Sequence, residues 1–108
     1  MNKFEAILIL TPEISNSVLS DNLKLFEESI SNQSGKIVDS EDWGLRDLSY
    51  DINSFKKAFY KFYQIEIEGS KIENLTRIIN QNDNFIRHLF IRVKKHQELP
   101  TKLNYEKN

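Results

Sequence analysis

Two histidines, an acidic cluster and a group of lysines and arginines are the side chains of this sequence that could do chemistry. His88 lies in an apolar run and His96 near the C-terminal end, and neither stands in a Ser/His/Asp arrangement or at metal-ligand spacing. Asp39, Glu41 and Asp42 could gather a cation, but they lack the regular oxygen spacing and the glycine of a calcium loop. A solvated edge is the simpler reading. No glycine-rich loop precedes a candidate helix, so nothing cradles a nucleotide phosphate. The chain has no cysteine, which excludes thiol catalysis, thiolate zinc sites and disulfides, and fits a reducing compartment. These inventories predict no enzyme, no metal and no cofactor.

The cations have a clearer pattern. Arg87, Arg92, Lys94 and Lys95 crowd into nine positions, and Arg92 and Lys94 share a face by the two-residue period if that segment is extended. Such residues contact phosphates through charge-assisted bonds without reading bases. They also protect an edge strand from aggregation, and the residues alone leave both readings open. The net charge of −1 hides an asymmetry: residues 1–55 carry four basic and ten acidic side chains, residues 56–108 eleven and six. A lopsided distribution can mark a polyanion-binding side, or two halves that neutralise each other.

The elements that must position these residues can be read from apolar spacing. Lys3 to Leu10 is a strand stopped by Thr11 and Pro12, and its second half is apolar at every position, as in a strand covered on both faces. Capping groups at Ser15 to Ser17 precede Leu19, Leu23, Phe26 and Ile30, one helical stripe, which Asn32 to Gly35 ends with Gly35 free to turn left-handed. An extended segment from Lys36 to about Ile52 is bent or bulged at Gly44, and Asp51, Asn53 and Ser54 form a hairpin connection. Lys57 to Ile67 is an aromatic and β-branched strand. A second helix over about Lys71 to Gln81 carries Ile72, Leu75 and Ile79 on one face, and Phe85 to Lys94 is the fourth strand.

The order is βαββαβ. Two helices with one apolar stripe each cover one face of a four-stranded antiparallel sheet, which makes the predicted fold an α+β, ferredoxin-like two-layer sandwich. Residues 1–95 form the expected domain, and 96–108 have the polar make-up of a loosely held tail. The helix-free face should be polar on a free-standing domain. Yet the first strand offers both Leu8/Leu10 and Ile7/Ile9, and the fourth both Leu89/Ile91 and His88/Phe90. Either a protein partner covers that face, or bulges turn part of it inward.

The third strand's Lys57-Ala58-Phe59-Tyr60-Lys61-Phe62-Tyr63 superficially resembles the aromatic motif of an RNA recognition module. Tyr60 fills a small-residue position of that motif and the first strand lacks its stacking aromatic, so core or interface packing is the better reading of these rings. The 108 residues suffice for one core, the 39% hydrophobic and 29% charged content is that of an ordinary globule, and the apolar run Ala6–Leu10 is too short to span a bilayer. With no secretory pattern at the start, the protein is expected to act in the cytoplasm as synthesised.

Three ordered segments resemble one family. Phe4-Glu5, followed by an aliphatic strand and Pro12, is similar to the aromatic-Glu opening of bacterial small-subunit ribosomal protein six. Asp42-Trp43-Gly44-Leu45-Arg46-Asp47-Leu48-Ser49-Tyr50-Asp51-Ile52 resembles that family's Trp-Gly-x-Arg-x-Leu-Ala-Tyr-Pro-Ile segment, and Asn82-Asp83-Asn84-Phe85-Ile86-Arg87 its Asn-Asp-x-Val-Ile-Arg junction. The resemblance implies a ribosomal, non-catalytic component that binds the central domain of small-subunit ribosomal RNA together with ribosomal protein eighteen as a heterodimer. It implies no membrane and no small-molecule substrate.

On this reading Lys3, Arg46, Arg87, Arg92, Lys94 and Lys95 are the candidate RNA contacts, Arg46 and Arg87 by matched motif position and the others by charge and strand geometry. Ile7, Ile9, Tyr50, His88 and Phe90 are the candidate partner interface. Two other readings share the topology. An acylphosphatase-like enzyme needs an Arg-bearing, Gly-rich loop where Thr11-Pro12-Glu13-Ile14 stands. A small-molecule-sensing regulatory domain would pair with itself through its sheet and ignore RNA.

Overall fold

A computed structural model of the chain describes residues 1–52 and 54–99. Strand β1 (Asn2–Leu10) leads through Pro12 into helix α1 (Asn16–Asn32), whose first turn is capped by Ser15: its Oγ accepts the Val18 amide at 3.2 Å. Strands β2 (Lys36–Ile52) and β3 (Phe55–Ile67) form a long hairpin. A 3₁₀ turn at Gly69–Lys71, fixed where the Gly69 amide meets Asn2 Oδ1 at 3.0 Å, delivers helix α2 (Ile72–Asn80), and β4 (Phe85–Val93) follows.

The four strands make one antiparallel sheet in the order β2-β3-β1-β4 with both helices on one face, the ferredoxin-like sandwich that the element order predicts. Even-numbered β1 residues Phe4, Ala6, Leu8 and Leu10 join Tyr63, Ile65 and Ile67 of β3 against Phe26 and Ile30 of α1 and Leu75 and Ile79 of α2. The Phe26 and Tyr63 rings meet at 5.1 Å, and the Tyr63 hydroxyl donates to Glu27 Oε2 at 2.6 Å. Burial, then Glu27, raise that phenol's pKa well above its ordinary value, so it stays a donor.

At the α1 exit the left-handed residue is Ser34, at φ 64°, rather than Gly35. Gly35 is required by proximity instead. A Cβ there would stand 2.9 Å from the Glu66 carbonyl oxygen and 3.0 Å from Ile67 Cβ. Gly44 does take a positive φ, 73°, beside Trp43, where β2 slips its register against β3.

Of the tail expected from 96 onward, residues 100–108 lie outside the described residues, and so does Asn53 of the hairpin connection. His96 to Leu99 return over the sheet, where Gln97 and Leu99 hold to its helix-free face.

Candidate interfaces on the helix-free face

Antiparallel partners carry their side chains on the same face, so the register sorts every candidate residue. Ile7 stands between Phe62 of β3 and Leu89 of β4, and Ile9 between Tyr60 and Arg87. All of these lie opposite the helices. Ile7, Trp43 and Phe62 form a second buried cluster, with Ile9, Tyr60 and Leu99 packed on it. Trp43 stacks nearly parallel on Phe62, 7° between planes and 5.3 Å between centroids, and its indole N–H donates to Glu41 Oε1 at 3.0 Å. Beyond this cluster the apolar surface continues to Leu89, which is 49% exposed, and to half-buried Ile91. The helix-free face is therefore apolar across three strands.

A carboxylate is buried in the same face. Glu5, 2% exposed, accepts Gln64 Nε2 at 3.2 Å and the Gln97 amide at 3.0 Å on Oε2, and Gln97 Nε2 at 2.9 Å on Oε1. Gln64 Nε2 also donates to the Gln97 carbonyl at 2.7 Å. His96 Nδ1 lies 3.7 Å from Glu5 Oε2. Donors from β3 and from the returning chain thus replace the water that an ionised carboxylate loses on burial.

His88 and Phe90 take the other face: they pair with Leu8 and Ala6, and Phe90 lies 6.4 Å from Phe26 in the helix-side core. The fourth strand's contribution opposite the helices is Arg87, Leu89, Ile91 and Val93. Burial lowers the His88 pKa. Tyr50 is 85% exposed on the hairpin arm, apart from the apolar cluster.

The candidate cations fall into two groups. Lys3 pairs with Val93 at the end of the sheet where β4 stops, and Arg92, Lys94 and Lys95 are exposed at that end. Lys3 and Arg92 nevertheless point to opposite faces, because Arg92 pairs with Phe4. This group wraps the edge instead of lining one side.

Arg87 and Arg46 occupy the other end. Arg87 lies about 17 Å from Arg92 along β4. Arg46 pairs with Ala58, beside the row Gly44, Tyr60, Ile9, Arg87 that crosses the sheet. Both arginines lie on the helix-free side. Arg46 Nε donates to the Trp43 carbonyl at 2.8 Å, so it also braces the bulge.

The Asn82-Asp83-Asn84 junction has a structural job at the start of β4. Asn82 Nδ2 donates to Asn22 Oδ1 at 2.7 Å, tying the turn to α1, while Asn82 Oδ1 accepts the Asn84 amide at 3.0 Å. The Thr11 amide then donates to the Asn84 carbonyl at 2.9 Å, fixing the start of β4 against the end of β1.

Sequence reasoning missed Trp43 and Leu99 as members of this surface and the Glu5–Gln64–Gln97 knot, and it left open whether Tyr60, Phe62 and Leu89 faced the core or an interface. For Tyr60 and Phe62 a signal existed: their parity opposes that of Phe59, Tyr63 and Ile65, which fill the helix-side core. Among the described residues no group of three His, Asp or Glu side chains could hold a metal, and no helix is long and apolar enough to cross a membrane.

The family model "Ribosomal protein S6" matches residues 3–92. The small ribosomal subunit protein bS6 of Christiangramia forsetii is 32% identical over 96 residues, covering 89% of this chain and 86% of that protein. The protein of the same name from Maricaulis maris is 33% identical over 108 residues, covering 100% of this chain and 92% of its own. Among solved structures, the crystal structure of 30S ribosomal protein S6 from Thermotoga maritima superposes with a TM-score of 0.82 at 20% identity, covering 85% of this chain and 87% of that one.

Proposed function

The chain belongs to the ribosomal protein S6 family, a structural component of the small ribosomal subunit, and from that premise we propose that it binds the central domain of small-subunit ribosomal RNA as a heterodimer with ribosomal protein eighteen. The observation that carries the proposal is the apolar helix-free face, Ile7, Ile9, Tyr60, Leu89 and Ile91, with arginines at its margin. An apolar patch of this kind on a small domain fits a protein partner. Arg46 and Arg87 at one end, and Lys3, Arg92, Lys94 and Lys95 at the other, supply phosphate contacts on either side of it.

The protein neutralises backbone charge and presents a composite surface with its partner, stabilising a folded RNA junction without catalysing a reaction. With a net charge of −1 it gains most of its affinity from joint binding with that partner. Its place of action is the ribosome, in the cytoplasm.

Co-purification of the tagged protein at low and moderate salt tests this reading. Recovery of small-subunit RNA together with one small basic protein is the expected result. A clean homodimer without RNA at either salt overturns it and favours a ferredoxin-like small-molecule-sensing regulatory domain.

A further inference from the structure

The seat assigned to the partner already has an occupant from the chain itself. Gln97 holds Glu5 through its backbone amide at 3.0 Å and its side chain at 2.9 Å, and Leu99 packs on the Ile7–Trp43–Phe62 cluster. The segment makes these contacts outside any strand or helix, since β4 ends at Val93. Its fit is incomplete. The His96 side chain is 10% exposed, and among the described residues neither of its buried ring nitrogens has a hydrogen-bond partner; Nδ1 stops 3.7 Å from Glu5 Oε2. Buried polar atoms left without partners favour release of the segment that carries them.

We infer that His96–Leu99 form a displaceable strap that occupies the partner's seat in the free protein and leaves it when the partner docks. The inference rests on the reading of the helix-free face as a partner surface and adds how that surface is kept before assembly. The strap's chemistry specifies what replaces it. Glu5 needs a donor in place of the Gln97 amide groups, and the cluster needs an apolar side chain in place of Leu99. The incoming segment therefore carries a hydrogen-bond donor, an amide or a cation, next to an aliphatic or aromatic residue. Until it arrives, the strap shields an apolar face and a carboxylate that is costly to bury alone.

The experiment titrates recombinant ribosomal protein eighteen from the same source into the full-length wild type, Gln97→Ala and Leu99→Ala by calorimetry, after circular dichroism has shown each variant folded. Because a strap that must open lowers apparent affinity by the fraction closed, loosening it should tighten binding about fivefold in either variant. In the wild type, amide exchange at Gln97 should accelerate once the complex forms. Equal or weaker binding by both variants, or a Gln97 amide still protected in the complex, overturns the strap while leaving the partner reading intact. Absence of binding by the wild type and both variants overturns both.

Discussion

Glu5 of β1 and Gln97 beyond β4 stand 92 positions apart in sequence, yet both carboxylate oxygens of the one are held by the two amide groups of the other. The pair closes the helix-free face over its buried charge. Gln64 completes it from β3 at 3.2 Å, so two distant segments of chain converge on one β1 side chain. Replacing Glu5 by Leu removes the carboxylate that accepts both Gln97 donors and leaves Gln64 Nε2 only its bond to the Gln97 carbonyl. We expect a loss of about 2 kcal/mol of unfolding free energy in urea titration, the cost of stranding such groups. A change within error would mean that water reaches the carboxylate in the folded protein.

Leu89 is the exposed apolar residue at the β4 side of the proposed partner surface. Leu89→Glu should alter stability by no more than about 0.5 kcal/mol, as surface changes do, yet weaken the complex with ribosomal protein eighteen by about tenfold or more. Thermal melting and calorimetry on the same preparation separate the two effects. Undiminished binding would move the interface off β4.

On the proposed function, the two cationic ends of the sheet should make separable contributions to RNA assembly. Arg92→Glu with Lys94→Glu should weaken assembly and lower the slope of log affinity against log salt by about 2, near one unit for each phosphate no longer neutralised. Arg87→Glu, about 17 Å away along the strand, should lower it by about 1. Filter binding with the partner present measures both. An unchanged slope for either variant removes that end from the RNA-binding surface.

His88 gives the fold a pH dependence of known sign. Burial lowers its pKa from the ordinary 6.5, so the unfolded chain takes up a proton before the folded one does. The contribution is intact above pH 6.5 and is lost as pH falls through the lowered folded value. His88→Gln should therefore flatten the stability profile on the acid side of 6.5 and leave it unchanged at pH 8. Urea midpoints across that range provide the check; parallel profiles for wild type and variant would rule the residue out.

The succession of elements was legible because each carries its own periodicity. The stripe Leu19, Leu23, Phe26, Ile30 needs no knowledge of the rest of the chain, and the all-apolar half of β1 announces a strand covered on both sides. What stayed hidden depends on register. Whether Leu89 or Phe90 faces the helices is decided by the slip between Ile9 and Leu10 against β4, and a one-residue slip reverses every side chain. A similar irregularity at Trp43 turns that indole onto Phe62. The return of Gln97 to Glu5 has no periodic signature at all. It is a tertiary event between one charged residue inside β1 and a polar stretch beyond β4, and reading the residues after Lys95 as a loose tail followed from their composition alone.

The central position of β1 has a bearing on how the chain is made. Its neighbours β3 and β4 begin at Phe55 and Phe85, so the greasy run Ala6–Leu10 is synthesised before both and waits for them before either flank can be zipped. Such long-range pairing slows folding and exposes a nascent segment to self-association. Chaperone demand during translation, then, should track the codons of β1 more closely than those of the two strands that flank it.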